Sequence, residues 1–359
     1  MSDTDHMAHA LRLGARGLGS VWPNPAVGCV IVKEGVVLGR GWTQRGGRPH
    51  AETMALQQAG PGARGAVAYV TLEPCAHHGQ TPPCAKALIA AGVARVVTAL
   101  TDPDPRVAGR GHQMLRDAGI MVVEGVLQDE ASRANAGFLK RVTQALPFVT
   151  LKLAASLDGR IATASGESRW LTGPLARRRV HLMRMRHDAV MIGVGTALAD
   201  DPDLTVRDLG AVHQPIRVLL DTHLRHSPHS RLGAGGASVW VLHGPDAPVE
   251  ARDAWAATGA VLQEVALSRA SIDAGAALRH LAGQGLTRIL CEGGGTLAAS
   301  LIRAGLVDDL ALFSAGLVLG ADGLSAVASL NLGALSDAPR PKLRHVEALG
   351  PDTLGIWSL

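Results

Sequence analysis

The 359-residue chain reads as an α/β protein of two layered domains. Short apolar runs alternate with helical stretches, the pattern of strands in a sheet covered by helices. The alternation restarts after Pro147, and the length suits two domains of roughly 150 residues each. With 47% hydrophobic and 18% charged residues, the composition supplies a core and excludes a disordered or fibrous chain. The 43 glycines fall on no fixed period, so they mark turns and close approaches, not collagen.

Residues 8–18 carry an amphipathic helical pattern. A proline-rich turn, Trp22-Pro23-Asn24-Pro25, leads into the apolar run Val27–Val32, predicted as a buried strand, with Val36–Gly41 as its hairpin partner. Pro49 precedes a helical stretch, His50–Ala59. Ala66–Leu72 reads as a strand and Cys84–Ala91 as a helix stopped by Gly92. Strand Val93–Leu100, helix Gly109–Ala118 and strand Ile120–Glu124 continue the alternation, for which parallel pairing is expected. A single helical segment, Asp129–Arg141, closes the first domain, 1–146. The second domain, 147–359, opens on a strand at Phe148–Ala154. Expected after it are a helix at Pro174–Arg186, strands near 188–193, 216–221, 238–243 and 288–291, and a helix at 295–304. Residues 208–214 and 232–237 read as loops.

The formal charge is +4, with no dense Lys/Arg run of the kind that grips a nucleic-acid backbone. Aromatics at 3% are too few for a base-stacking platform, so no nucleic-acid partner is expected. The balance suits an anionic small molecule. No apolar run reaches ~18 residues, so no membrane span is expected. The first residues lack the apolar core of a secretory signal, which makes the cytoplasm the expected compartment. In that setting the four cysteines, Cys29, Cys75, Cys84 and Cys291, are expected as metal ligands or buried thiols, not disulfides.

His50-Ala51-Glu52 is followed by Pro74-Cys75 and Pro83-Cys84. One imidazole and two thiolates are three ligands, the number that leaves a tetrahedral zinc one position for water. Pro49 and Pro83 place His50 and Cys84 at helix starts, where the dipole favours the thiolate. Glu52 cannot share the face of His50, yet it can flank the metal and relay a proton. Two alternatives stand beside this reading. His50 could cap a helix above two buried thiols, or His77 or His78 could close a structural zinc site, which would leave Glu52 unexplained.

Zinc nucleobase deaminases carry H-x-E and P-C-x-x-C. Here eight residues, not two, separate Cys75 from Cys84. HAE with TLEPCAHHGQTPPC, the earlier PNPAVGCVIV, and the later CAKALIAAGVARVV, DPDPRVAGRG and GFLKR resemble the deaminase domain of the bifunctional deaminase/reductase family of riboflavin biosynthesis. The resemblance implies a cytidine-deaminase-like three-layer domain. It makes His50, Cys75 and Cys84 zinc ligands, Glu52 the proton shuttle and Asn24 a contact to a pyrimidine ring, although locally Asn24 also suits a plain turn. Two positions depart from the family pattern, Trp22 where His is frequent and Gln80 where a basic residue is frequent.

In the second domain the nearest dinucleotide fingerprint, Gly193-Val-Gly195-Thr-Ala-Leu198, lacks its third glycine, which excludes a Rossmann reading. Cys291-Glu-Gly-Gly-Gly-Thr-Leu297 is a better phosphate cradle, between a strand and a helix start, or else a flexible turn. LKLAASLDGRIATASGESRWLTGP, MIGVGTALADDPDLTVR, LLDT and CEGGGTLAASLI, in that order, resemble the reductase domain of the same family. This implies a dihydrofolate-reductase-like fold and NADPH. The implied cofactor contacts are Ala154, Trp170, Thr196, Asp200, Thr222 and the run Gly294, Gly295, Thr296, Leu297, Ala298, Ala299 and Ser300. Ser168, Arg184, Leu204, Arg207 and Glu292 would face the substrate. Arg184 and Arg207 have the geometry to hold a sugar phosphate, while Arg184 alone also suits a solvated helix face. Asp200 and Glu292 are candidates for the general acid. His181, His187, His213, His223, His226 and His229 lack metal spacing.

The implied function is zinc-dependent hydrolytic deamination of a phosphorylated diaminopyrimidine, then NADPH-dependent reduction of its ribosyl chain. A homo-oligomer is expected, as two-domain members commonly associate. Rival readings are a nucleobase or nucleoside deaminase with an accessory binding domain, a zinc-stabilised module without chemistry, and a pair with one active half. The first requires Cys-x-x-Cys spacing and a basic groove, which the chain lacks.

Overall fold

Ser2 starts the first helix. In the computed structural model, which describes residues 1–76, 82–105, 107–210 and 212–359, the Ser2 hydroxyl accepts the N–H of Asp5 while Asp5 accepts the N–H of Ser2. This reciprocal cap places α1 at Asp3–Gly14, five residues ahead of the apolar periodicity at residue 8, because its polar first turn carries no apolar signal. The chain divides into two units, Met1–Ala145 and Leu146–Leu359.

The first unit continues with β1 (Gly28–Lys33), β2 (Val36–Trp42), α2 (Ala51–Ala59), β3 (Val67–Val70), α3 (Cys84–Ala91), β4 (Arg95–Thr98), α4 (Arg110–Asp117), β5 (Met121–Val123), α5 (Gln128–Ala134) and α6 (Ala136–Gln144). Its described residues form a five-stranded sheet in the order β2-β1-β3-β4-β5. The expected parallel pairing holds for β3, β4 and β5, whereas β1 runs antiparallel to both β2 and β3. The tight turn Glu34-Gly35, both at positive φ, forces the β1–β2 hairpin, and α2 then crosses β1 to reach β3. Gly39 and Gly41 let α2 lie directly on β2, since a Cβ at either would stand 2.1 Å from the carbonyl oxygen of Ala55 or Ala51. Val30, Ile31, Val70, Leu88, Val96, Val97 and Leu115 are fully buried between the layers.

The single helix expected at Asp129–Arg141 is two. Asn135 interrupts it, its side-chain oxygen accepting the Ala26 N–H at 2.9 Å and its amide donating to the Ala26 carbonyl at 3.3 Å. A partner 109 residues away in the chain cannot be read from local periodicity.

The second unit holds β6 (Phe148–Ser156), β7 (Arg160–Ala162), α7 (Pro174–Met185), β8 (Ala189–Gly193), α8 (Val194–Asp200), β9 (Ile216–Leu220), α9 (Arg231–Ala234), β10 (Val239–His243), α10 (Val249–Ala257), β11 (Val261–Glu264), β12 (Leu267–Ser268), β13 (Ser271–Ile272), α11 (Ala274–Gly283), β14 (Arg288–Cys291), α12 (Gly295–Arg303), β15 (Asp309–Ala315), β16 (Leu324–Ser325), β17 (Lys342–Leu349) and β18 (Asp352–Ser358). Its described residues build a nine-stranded sheet, β11-β10-β9-β8-β14-β6-β15-β18-β17. The strands through β15 are parallel; β18 and β17 close one edge as an antiparallel pair. The loop expected at 232–237 begins inside α9, which Ser230 caps through the N–H of Gly233. The carboxyl ends of β6, β8, β9 and β14 converge on one face, the usual position of a ligand crevice in a parallel sheet.

Candidate active sites

Three first-unit side chains meet at element starts. His50 is the N-cap of α2, Cys84 opens α3 after Pro83, and Cys75 follows β3 after Pro74. Their ligand atoms lie within 4.8 Å of one another. Nδ1 of His50 is 3.2 Å from Sγ of Cys84 and 3.7 Å from Sγ of Cys75, and the Cys84 N–H points at Cys75 Sγ at 3.3 Å. The hydrogen bond from Cys84 pushes the Cys75 thiol down to about 4, with His50 adding to the effect, so Cys75 stands as a thiolate. The same hydrogen bond drives the Cys84 thiol upward. One imidazole and two sulfurs, one already anionic, are a donor set that fits zinc. Among the described residues this is the cluster with metal-ligand geometry. His77, His78 and Gln80 lie outside the described residues.

Glu52, in the first turn of α2, is buried beside the three. Burial, and then the negative charge of Cys75, push its carboxyl up to about 7, while His50 opposes the rise. A carboxyl balanced near neutrality can both take and return a proton. The cavity it faces has a volume of about 650 Å³, and Asn24, His50, Glu52, Glu73, Cys75 and Arg110 are among its lining residues. Gly47, at φ 86°, packs against Asn24 so closely that a Cβ there would meet its Nδ2 at 1.9 Å. Asn24 is therefore clasped inside the cavity.

In the second unit Glu292 follows β14 and is paired in fork geometry with Arg184 of α7, at 2.6 and 2.9 Å. Burial opposes the charge on Glu292, but Arg184 and then Lys152 hold its carboxyl down to about 2. The Arg184 fork is engaged by Glu292, and its Nη1 by the Thr205 carbonyl at 2.9 Å, so it is not a solvated helix face. Arg184 holds Glu292 toward its ionised form. Lys152 of β6, absent from the sequence reading, has its ammonium 3.8 Å from Glu292. Burial lowers its pKa, against the attraction of Glu292. Lys152 lies inside the LKLAASLDGR stretch, but its pairing with Glu292 shows only once β6 is aligned beside β14.

Gly294 caps α12 and donates its N–H to Oγ1 of Thr196 at 2.8 Å, which joins α8 to the glycine run. A Cβ on Gly293 would meet Leu297 at 2.6 Å, and one on Gly295 would meet the Ser325 carbonyl at 2.7 Å. The run is thus a close-walled cradle at the start of a nine-residue helix, suited to a dinucleotide's phosphates. Thr296 and Leu297 lie in its first turn, and Ala298 and Ala299 are buried behind it, with Ser300 following. Ser168 donates to Asp200 at 3.2 Å, so one residue expected at the substrate meets one expected at the cofactor. Ala154 is half-buried on β6, and Trp170 is 68% exposed with the Arg177 guanidinium 4.8 Å above its ring. Thr222 follows β9 and accepts the Ile272 N–H at 3.3 Å. Leu204 is a core side chain at 2% exposure. Arg207 is half-exposed and contacts Asp203 at 3.2 Å.

Residues 147–354 match the RibD C-terminal domain, and residues 1–100 match the cytidine and deoxycytidylate deaminase zinc-binding region. The chain is 45% identical to the riboflavin biosynthesis protein RibD of Escherichia coli (strain K12), over 98% of each. It superposes on the solved structure of Acinetobacter baumannii RibD with TM-score 0.90 and 40% identity, covering 99% of this chain and 98% of that one. The diaminohydroxyphosphoribosylaminopyrimidine deaminase/5-amino-6-(5-phosphoribosylamino)uracil reductase of Thermotoga maritima aligns at TM-score 0.87 and 35% identity, with the same coverage.

Proposed function

The chain belongs to the RibD family of bifunctional riboflavin-biosynthesis enzymes, and from that premise we propose that its two units catalyse successive reactions on one phosphorylated pyrimidine. The first, cytidine-deaminase-like unit hydrolyses the 2-amino group of 2,5-diamino-6-ribosylamino-4(3H)-pyrimidinone 5′-phosphate. The second, dihydrofolate-reductase-like unit reduces the ribosyl chain of the product to ribityl. The observation that carries the reading is the His50, Cys75 and Cys84 cluster within 4.8 Å, beside buried Glu52.

His50, Cys75 and Cys84 would hold zinc, which when bound supplies the Lewis acidity that activates water near neutral pH. Glu52 takes the proton from that water and returns it to the departing amine nitrogen, which its value of about 7 permits in both directions. Asn24, held by Gly47, orients the pyrimidine ring by hydrogen bonds. In the second unit NADPH supplies the hydride. Ala154, Trp170, Thr196, Asp200, Thr222 and the run Gly294–Ser300 hold the cofactor, with Ser168, Arg207, Glu292 and the Leu204 backbone toward the substrate. Arg184 fixes Glu292 as an anion, and the Lys152 ammonium beside it donates the proton that accompanies reduction.

No described helix is long and apolar enough to cross a membrane. We place the enzyme in the cytoplasm, as a homo-oligomer without a nucleic-acid partner, which its modest charge of +4 and scarce aromatics support. The purified chain, given the diaminopyrimidine phosphate, should release ammonia without NADPH and form the ribityl product only when NADPH is added. Ammonia release with no later NADPH oxidation would leave only the deaminase half standing.

A further inference from the structure

Glu73 leaves β3 two residues before Cys75 and takes no part in the steps above. Its buried carboxylate accepts four backbone N–H groups: Oε1 takes Gly111 at 2.7 Å and His112 at 3.2 Å, and Oε2 takes Gly109 at 2.9 Å and Asp102 at 3.0 Å. An ionised carboxylate offers about four lone-pair sites and no donor, so this match uses its whole capacity. Gly109, the N-cap of α4, has no side chain to close the helix start, and Glu73 closes it from another segment. The contact is tight on the main chain too. A Cβ on Gly111 would stand 2.0 Å from the Pro74 carbonyl oxygen, and Glu73 itself donates its N–H to Leu100 at 2.8 Å.

The consequence is geometric. Asp102, Asp104, Val107 and Arg110 line the cavity that holds Glu52 and Cys75, and Glu73 ties their backbone to the segment carrying Cys75. Among the described residues, Arg48, Arg110 and Arg141 are the arginines that line that cavity. Arg48 stands two residues before His50, at the metal end of the cavity. Arg110, the first residue of α4, is exposed, as a group meeting a charged substrate tail must be.

We propose that Glu73 is a positioning residue for substrate recognition, holding the backbone of Asp102, Gly109, Gly111 and His112 in register with Cys75 so that Arg110 receives the substrate phosphate. The inference rests on the deaminase reading above.

The test is steady-state ammonia release by the zinc-loaded full chain on the diaminopyrimidine phosphate. Arg110→Ala should raise KM about tenfold with kcat within about threefold, the mark of lost binding without lost chemistry. Glu73→Gln offers donors where acceptors are needed and should raise KM about fivefold or more, with zinc retained and the reductase rate of the same chain unchanged. In the Arg110→Ala background Glu73→Gln should add less than about twofold, because both act through one contact. Should Glu73→Gln yield no folded protein, Glu73→Asp, which keeps the charge with one methylene less, is read by the same cycle. KM effects that multiply, a kcat loss at constant KM, or loss of zinc would overturn the proposal. A wild-type chain that releases no ammonia overturns the deaminase reading itself.

Discussion

A carboxyl buried beside a thiolate resists ionisation, and Glu52 owes its role to that placement. Glu52→Gln keeps shape and volume but cannot carry a proton. It should lower kcat for ammonia release by about 10²–10⁴ while zinc stays stoichiometric, checked by ammonia assay and elemental analysis on one sample. The two arginines of the second unit separate by burial. Arg207 is 46% exposed, so Arg207→Ala should leave thermal stability within about 0.5 kcal/mol and raise the reductase KM about tenfold. Arg184→Ala would strand the Glu292 anion in the interior and should cost about 3–5 kcal/mol in denaturant titration. The pair also sets a pH window. Glu292 ionises at about 2 in the folded chain against 4.5 ordinarily, so its contribution is complete above about 4.5 and fades as pH falls toward 2. Wild type should lose second-unit stability through that window, and Glu292→Gln should show a flatter profile there. His50, Glu52 and the two cysteines were legible because the chemistry demands those types at those spacings. Lys152 and Glu73 were not, since the groups each contacts are distant in sequence.

At the scale of elements, the site depends on how closely α2 can lie on β2. Gly41→Ala would push a methyl group toward the Ala51 carbonyl, displacing the helix start that carries His50 and Glu52. Overpacking of this kind costs roughly 1–3 kcal/mol, and deaminase activity should fall further than stability while NADPH oxidation is kept, as parallel assays would show. Strong local signals placed most elements. α3 spans Cys84–Ala91 and β14 spans Arg288–Cys291, where Pro83, Gly92 and the apolar run mark the ends. Elements went astray where a partner overruled the local pattern: Asn135 breaks a helix to serve Ala26, and the Ser2 cap starts one in polar sequence. The helices Val249–Ala257 and Ala274–Gly283 and the paired strands at the C-terminal end carried no motif, and the sequence reading left them unassigned.

For the molecule as a whole, two active sites on separate sheets predict separable losses. Chelation of zinc from the intact chain should abolish ammonia release yet preserve NADPH oxidation on the deaminated pyrimidine, and added zinc should restore the first rate. A chelator that stopped both would mean the second unit also depends on the metal. What the residues determined alone was chemical identity: an imidazole, two thiols and an acid in one half, a glycine cradle in the other, each set by the valence of the group it serves. Only the tertiary structure decided which charges neutralise one another. It set Arg184 against Glu292, brought Lys152 beside them, and filled Glu73 with four N–H groups. Electrostatic pairing falls off over a few ångströms, and those distances exist only once strands far apart in the chain lie side by side.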